Sequence, residues 1–193
     1  MLMRAWLFLL PFSATAQVIC ALGSGASSYQ ALADQRPASD AMQLAARVNA
    51  AGKTICGSNC PSVALFRNAT APNAALILNS GQAKLVYAPQ FFSALYTSFG
   101  DPGIIAIIAH ELGHALDDTM AAAWINSKWS PELRTDAWAG CTLAKTNLSA
   151  ADLHAALGAL EKYPSPAHPS WNVRLPAIRT GYTKCGGVAS NMR

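Results

Sequence analysis

Ile108-Ala109-His110-Glu111-Leu112-Gly113-His114-Ala115 is the stretch on which the fold turns. Residues four apart on an α-helix lie one turn apart on the same face, so His110 and His114 can offer two imidazole nitrogens to one metal ion. Glu111 projects beside them, where a carboxylate can take a proton from metal-activated water and pass it to a leaving amine. Gly113 leaves room close to the metal. Ile104, Ile105, Ile107, Ile108 and Leu112 make the segment apolar on nearly all sides, which predicts a buried central helix from Gly103 to about Met120. Ionisable groups inside such a helix are costly unless they are paired or metal-bound.

Working outward, Asp101-Pro102 reads as a cap followed by proline at the first helical position. Before it, Pro89 opens a helix carrying Phe91, Phe92 and Leu95 that closes near Gly100. Upstream lie three short β-like runs, Val63 to Phe66, Ala74 to Leu78 and Lys84 to Ala88, with Asn79-Ser80-Gly81-Gln82 as a hairpin turn between the last two. The run Lys84 to Ala88, or its hairpin neighbour, is a candidate edge for pairing with an extended peptide. Ser39 caps a helix from Asp40 to about Ala51, ended by Gly52. The stretch from Gln17 to Pro37 is rich in Ala, Gly and Ser and is expected to start as irregular chain. Downstream, Ser130-Pro131 starts a helix from Glu132 to about Lys145, and Ser149 caps another through Glu161. A last helical stretch follows the loop Pro164 to Ser170 and is interrupted at Pro176. Short strands followed by helices predict an α+β fold, zincin-like, mostly helical, with a small β-sheet or hairpin before the histidine helix.

A catalytic zinc commonly has three protein ligands and one open position. A histidine six residues after His114 is missing, since that position is Met120. Glu132 stands at a helix start, with Asp136 one turn later on the same face. Glu132 is the expected third ligand, and Asp136 would hold the free nitrogen of a ligand histidine, His110 first. The plainer reading of Glu132 is a carboxylate favoured by the helix dipole. Asp117 and Asp118 read as a patch that is either solvated or placed behind the ligand residues.

Together these residues carry a family resemblance. The His110 segment, followed by Glu132-Leu133-Arg134-Thr135-Asp136-Ala137-Trp138-Ala139-Gly140, resembles the gluzincin-type zinc metallopeptidases, and among them the bacterial neutral zinc metallopeptidases and the soluble relatives of the CAAX prenyl protease. The family shares Glu-x-x-Ala-Asp-x-x-Ala on the helix after the histidine helix, and this chain has Thr135 at the first alanine. His168-Pro169 followed by Arg174 is similar to a third family segment, in which the arginine supports the active site. The resemblance spans roughly residues 85 to 182. It implies hydrolysis of peptide bonds with one Zn2+ ion, a peptide or protein substrate and Glu111 as the base. His168 would then steady the oxyanion, or serve simply as a loop histidine. Arg174 would pair with Asp136 or Asp117, or line the cleft. Two other functions fit the same residues: a non-catalytic zinc-stabilised binding or chaperone-like module, and a zinc amidohydrolase.

The rest of the chain bounds these readings. Of 193 residues, 52% are hydrophobic and 12% charged, enough apolar side chain for a core and too little charge for a disordered chain. The net charge of +4 comes from scattered Lys and Arg, which argues against a nucleic-acid partner. Arg4, the apolar run Ala5 to Phe12 and Ala14-Thr15-Ala16 have the order of a cleavable signal peptide over residues 1–16, leaving 17–193 as one domain without a stable membrane span. A periplasmic or secreted location follows, and that compartment permits disulfides. The five cysteines are Cys20, Cys56, Cys60, Cys141 and Cys185. A local Cys56–Cys60 bridge is the first choice, and Cys141–Cys185 follows by elimination.

Overall fold

The structure is a computed structural model that describes residues 17–22, 29–79 and 82–192. The signal-like segment 1–16 and the centre of the hairpin turn at 80–81 lie outside them. The chain runs β1 (Gln17–Leu22), α1 (Ser39–Cys56), β2 (Val63–Arg67), β3 (Ala74–Asn79), β4 (Gln82–Tyr87), α2 (Pro89–Thr119), α3 (Pro131–Lys145), α4 (Ala150–Lys162) and α5 (Trp171–Lys184), with short 3-10 turns between. The architecture is α+β and mostly helical.

The sheet has the order β1-β3-β4-β2. β3 and β4 form the antiparallel hairpin, β2 runs parallel to β4, and β1 runs antiparallel to β3. Two expectations are corrected here. The start of the Ala/Gly/Ser-rich stretch is a strand, because its backbone pairs with β3. The candidate substrate edge is also displaced: β3 and β4 are interior strands, so the edges belong to β1 and β2. Alternation along the strands sorts the two faces. Val63, Leu65, Leu76, Leu85 and Tyr87 join the main core with the helices, while Ala75, Ile77 and Val86 pack with Tyr29 and Phe66 on the far face. There Lys84 meets Asp34 and Tyr29 and ties the chain before α1 to the sheet.

α2 is two helical arms joined at a kink. Gly100 breaks the ladder with φ 62° and ψ −160°, and Pro102 follows at the start of the second arm. The positive φ suits glycine, and the missing N–H of Pro102 costs little where no partner carbonyl precedes it. In the second arm every residue from Gly103 to Leu116 is buried. The helix is long and apolar enough to cross a membrane by length and composition, but in this fold that arm forms the centre of the core.

Two breaker residues sit inside helices. α1 continues through Gly52 to Cys56 and ends at Gly57, whose φ is 73°. A Cβ on Gly52 would lie 2.9 Å from Leu112 Cδ2, so this glycine serves the close approach of α1 to α2. α5 likewise runs unbroken through Pro176. Ser130 and Ser149 cap α3 and α4 by accepting from the backbone N–H groups of Leu133 and Asp152.

α3 and α5 cross at glycines. A Cβ on Gly140 would lie 2.0 Å from Ile178 O, and one on Gly181 would lie 1.7 Å from Ala137 O. Disulfides join Cys56 to Cys60 and Cys141 to Cys185, the second linking α3 to the end of α5.

Candidate metal centre

Two helices and one loop meet at the site. α2 brings His110, Glu111 and His114, all buried. The first two turns of α3 bring Glu132, Thr135 and Asp136, and the loop before α5 brings His168. Glu132 Oε2 is the meeting point: it lies 3.5 Å from His110 Nε2, 3.6 Å from His114 Nε2 and 2.8 Å from His168 Nε2. One ligand atom each from His110, Glu132 and His168 falls within 4.8 Å of the others, so this buried group could hold a metal ion.

The outer nitrogens sort the three histidines. His110 Nδ1 is 3.1 Å from Asp136 Oδ1, and an ionised carboxylate can only accept, so Nδ1 carries a proton; when the ring is neutral, its Nε2 lone pair is directed inward. His114 Nδ1 is 3.0 Å from Thr135 Oγ1, which allows the same tautomer. His168 is the reverse. Its Nδ1 accepts from the backbone N–H of Ser165 at 2.9 Å, so a neutral ring carries its proton on Nε2, facing Glu132. As neutral rings, His110 presents a lone pair inward and His168 a donor, while His114 can present either.

His114 stands outside that group of three, with its Nε2 3.6 Å from Glu132 Oε2. His114 Nε2 and both carboxylate oxygens of Glu111 are buried with no hydrogen-bond partner among the described residues. Buried polar atoms are rarely left so, and two imidazole nitrogens with a carboxylate oxygen form a common zinc set.

The electrostatics follow from burial. Burial pushes the Glu111 carboxyl up to about 8, against the pull of His110. Burial, then the charge of His110, pushes the His114 imidazole down to about 3. Burial would raise Glu132, but its contacts with His110 and His168 outweigh it and hold the carboxyl far below its ordinary value. Burial also opposes ionisation of Asp136, and Arg174 and His110 overcome it.

Arg174 is 1% exposed and grips Asp136 with two nitrogens, Nε on Oδ2 and Nη2 on Oδ1, both at 2.8 Å. Its Nη1 donates to Leu160 O at 2.9 Å, tying α5 to α4 as well. A chain of contacts thus runs from Arg174 through Asp136 to His110. Asp117 departs from the solvated-patch expectation. Arg134 Nε donates to both of its oxygens at 3.0 Å, and Arg134 Nη1 donates to Trp129 O at 2.8 Å. This clamp joins the end of α2, the loop before α3 and the helix that carries Glu132.

The residue that sequence reasoning passed over is Thr135. It stood out only as a departure from alanine, and the signal that could have found it was its place beside Asp136. Comparison with protein-family models, curated proteins and solved structures finds no match to this chain.

Proposed function

We propose that the chain is a zinc-dependent metallopeptidase of gluzincin type, working in an oxidising compartment outside the cytoplasm. The observation that carries the reading is Glu111: a carboxyl wholly buried next to His110 in the chain, with neither oxygen hydrogen-bonded among the described residues. A merely structural metal site has no use for such a group and favours closed four-residue coordination. The two disulfides support the compartment, since such bonds persist mainly where thiols are not kept reduced.

His110, His114 and Glu132 would hold the zinc ion. Bound there, it would supply Lewis-acid activation of water and of the scissile carbonyl. Glu111 takes the proton of the attacking water and delivers it to the leaving amine. Burial raises the carboxyl of the metal-free site, and the charge of a bound cation would oppose that rise and favour the ionised form that accepts the proton. His168 would turn its Nε2 proton, which faces Glu132 Oε2 at 2.8 Å in the free site, toward negative charge developing on the carbonyl oxygen. Asp136, backed by Arg174, keeps His110 in the tautomer that binds.

Metal analysis and peptide-library cleavage test this directly. The mature protein should bind about one zinc per chain. Glu111→Gln should keep the metal and lose cleavage. Glu132→Ala should lose metal retention, while His168→Ala should keep the metal and lose turnover. Zinc in the wild type and in Glu111→Gln, with cleavage by neither, would favour the non-catalytic module. Cleavage of non-peptide amides alone would favour the amidohydrolase. No zinc after full metal loading would sink the proposal.

A further inference from the structure

We infer that Thr135 is a positioning residue for the metal centre: its hydroxyl accepts the Nδ1 proton of His114 and so supports the tautomer that directs Nε2 to the metal. The inference rests on the metal site proposed above but concerns a residue to which the family pattern gives no such part.

Thr135 is wholly buried, and both branches of its side chain are engaged. Oγ1 lies 3.0 Å from His114 Nδ1. On the other branch, a Cβ added to Gly113 would come within 3.1 Å of Thr135 Cγ2 and 2.6 Å of Thr135 O. The bare glycine therefore lets the first turns of α3 press against α2, and the methyl packed there fixes the rotamer that aims the hydroxyl at the ring. A β-branched side chain has little χ1 freedom to begin with, so one contact on the methyl determines where the oxygen points.

Consecutive residues of α3 thus serve the two histidines separately. Asp136 takes the outer nitrogen of His110 as a carboxylate, and Thr135 takes that of His114 as a hydroxyl. A carboxylate accepts only, so Asp136 dictates its tautomer by charge. A hydroxyl can donate or accept, so Thr135 dictates nothing by itself. The tautomer of His114 is settled by Nε2, 3.6 Å from Glu132 Oε2, being needed as a lone pair at the metal, and Thr135 Oγ1 then accepts the Nδ1 proton. With alanine at this position the Nδ1 proton would lose that acceptor inside the core.

The test compares Thr135→Val, which keeps the packing on Gly113 and removes the hydroxyl, with Thr135→Ser, which keeps the hydroxyl. Zinc affinity is measured by competition with a chromophoric chelator. The ring state of His114 is read from long-range 1H–15N correlations, both metal-free and zinc-loaded. Thermal unfolding of the metal-free proteins reports the fold. The expected result is a roughly 10- to 100-fold loss of zinc affinity in Thr135→Val, a shift of the His114 nitrogen resonances away from the Nδ1–H pattern, and recovery of both in Thr135→Ser. Unchanged His114 resonances and zinc affinity in Thr135→Val would overturn the inference and leave the metal site standing. If the wild type binds no zinc, the proposed function fails, and the metal-free spectra still decide whether the hydroxyl governs the ring. If Thr135→Val does not fold, Thr135→Ala carries the decision: lower zinc affinity and loss of the Nδ1–H pattern, both restored in Thr135→Ser, support the hydroxyl's part, and wild-type spectra and affinity in a folded Thr135→Ala overturn it.

Discussion

Asp136 has two oxygens and three claimants. Oδ1 serves both His110 Nδ1 and Arg174 Nη2, and Oδ2 serves Arg174 Nε. Stability and metal affinity therefore draw on one carboxylate, and the two can be separated by substitution. Asp136→Asn keeps the volume and leaves the Arg174 charge buried without its counterion. Breaking such a pair costs about 3–5 kcal/mol, and loss of the carboxylate behind a ligand histidine lowers metal affinity about 10- to 100-fold. Replacing both partners, as in Asp136→Leu with Arg174→Met, removes the unpaired charge. Calorimetric unfolding should then regain much of the lost stability, while zinc titration should show affinity still low. Recovery of both together would mean that Asp136 acts on the metal only through the fold. The pair was half legible in the sequence. Glu132 and Asp136 at one-turn spacing put two carboxylates on one face, and helix geometry does the rest. The partner of Arg174 was legible only as a choice among Asp136, Asp117 and the cleft, because it depends on how α5 crosses α3 and no local pattern encodes a crossing.

Helices and strands were largely legible as elements, since apolar spacing and Ser, Asp-Pro and Gly signals are local. The misreadings have a common cause. Gly52 reads as a stop and is a contact, because α1 must approach Leu112 within 2.9 Å of where a Cβ would stand. Pro176 reads as an interruption, yet one missing donor leaves α5 continuous. β1 reads as coil because its order comes from pairing with β3, a partner more than fifty residues away. In each case tertiary contact overrides local propensity. The glycines at the α3–α5 crossing are the sharpest instance. Gly181→Ala would set a methyl 1.7 Å from Ala137 O, a backbone atom that cannot swing aside. The helices must separate, at a cost of about 3 kcal/mol or more, lowering the melting temperature by about 6–12 °C. Since α5 carries Arg174, the grip on Asp136 should loosen too, and zinc affinity should fall with it. A melting temperature within a degree of wild type would show that the crossing has slack.

Three devices hold α5 against the rest of the molecule: the glycine crossing, the Arg174 contacts to Asp136 and Leu160, and the Cys141–Cys185 disulfide. The disulfides differ in what they constrain. Cys56–Cys60 closes a loop with a sequence separation of 4, whereas Cys141–Cys185 closes one with a separation of 44 that contains all of α4 and the His168 loop. In the chain-entropy account the long loop stabilises by about 4 kcal/mol and the short one by about 2 kcal/mol. Position sharpens the contrast. The short bridge ends α1 beyond the contact at Gly52, away from the ligands. The long bridge starts five residues past Asp136 and ends eleven past Arg174, so its removal frees the helix that supports His110 and the loop that places His168. Cys141→Ala with Cys185→Ala should therefore lower both the melting temperature and zinc affinity, while Cys56→Ala with Cys60→Ala should lower stability by less and leave zinc affinity unchanged. Thermal unfolding and zinc titration of the two double variants check this. Equal loss of metal from both would place the coupling in global stability, since only a path through α5 distinguishes one bridge from the other.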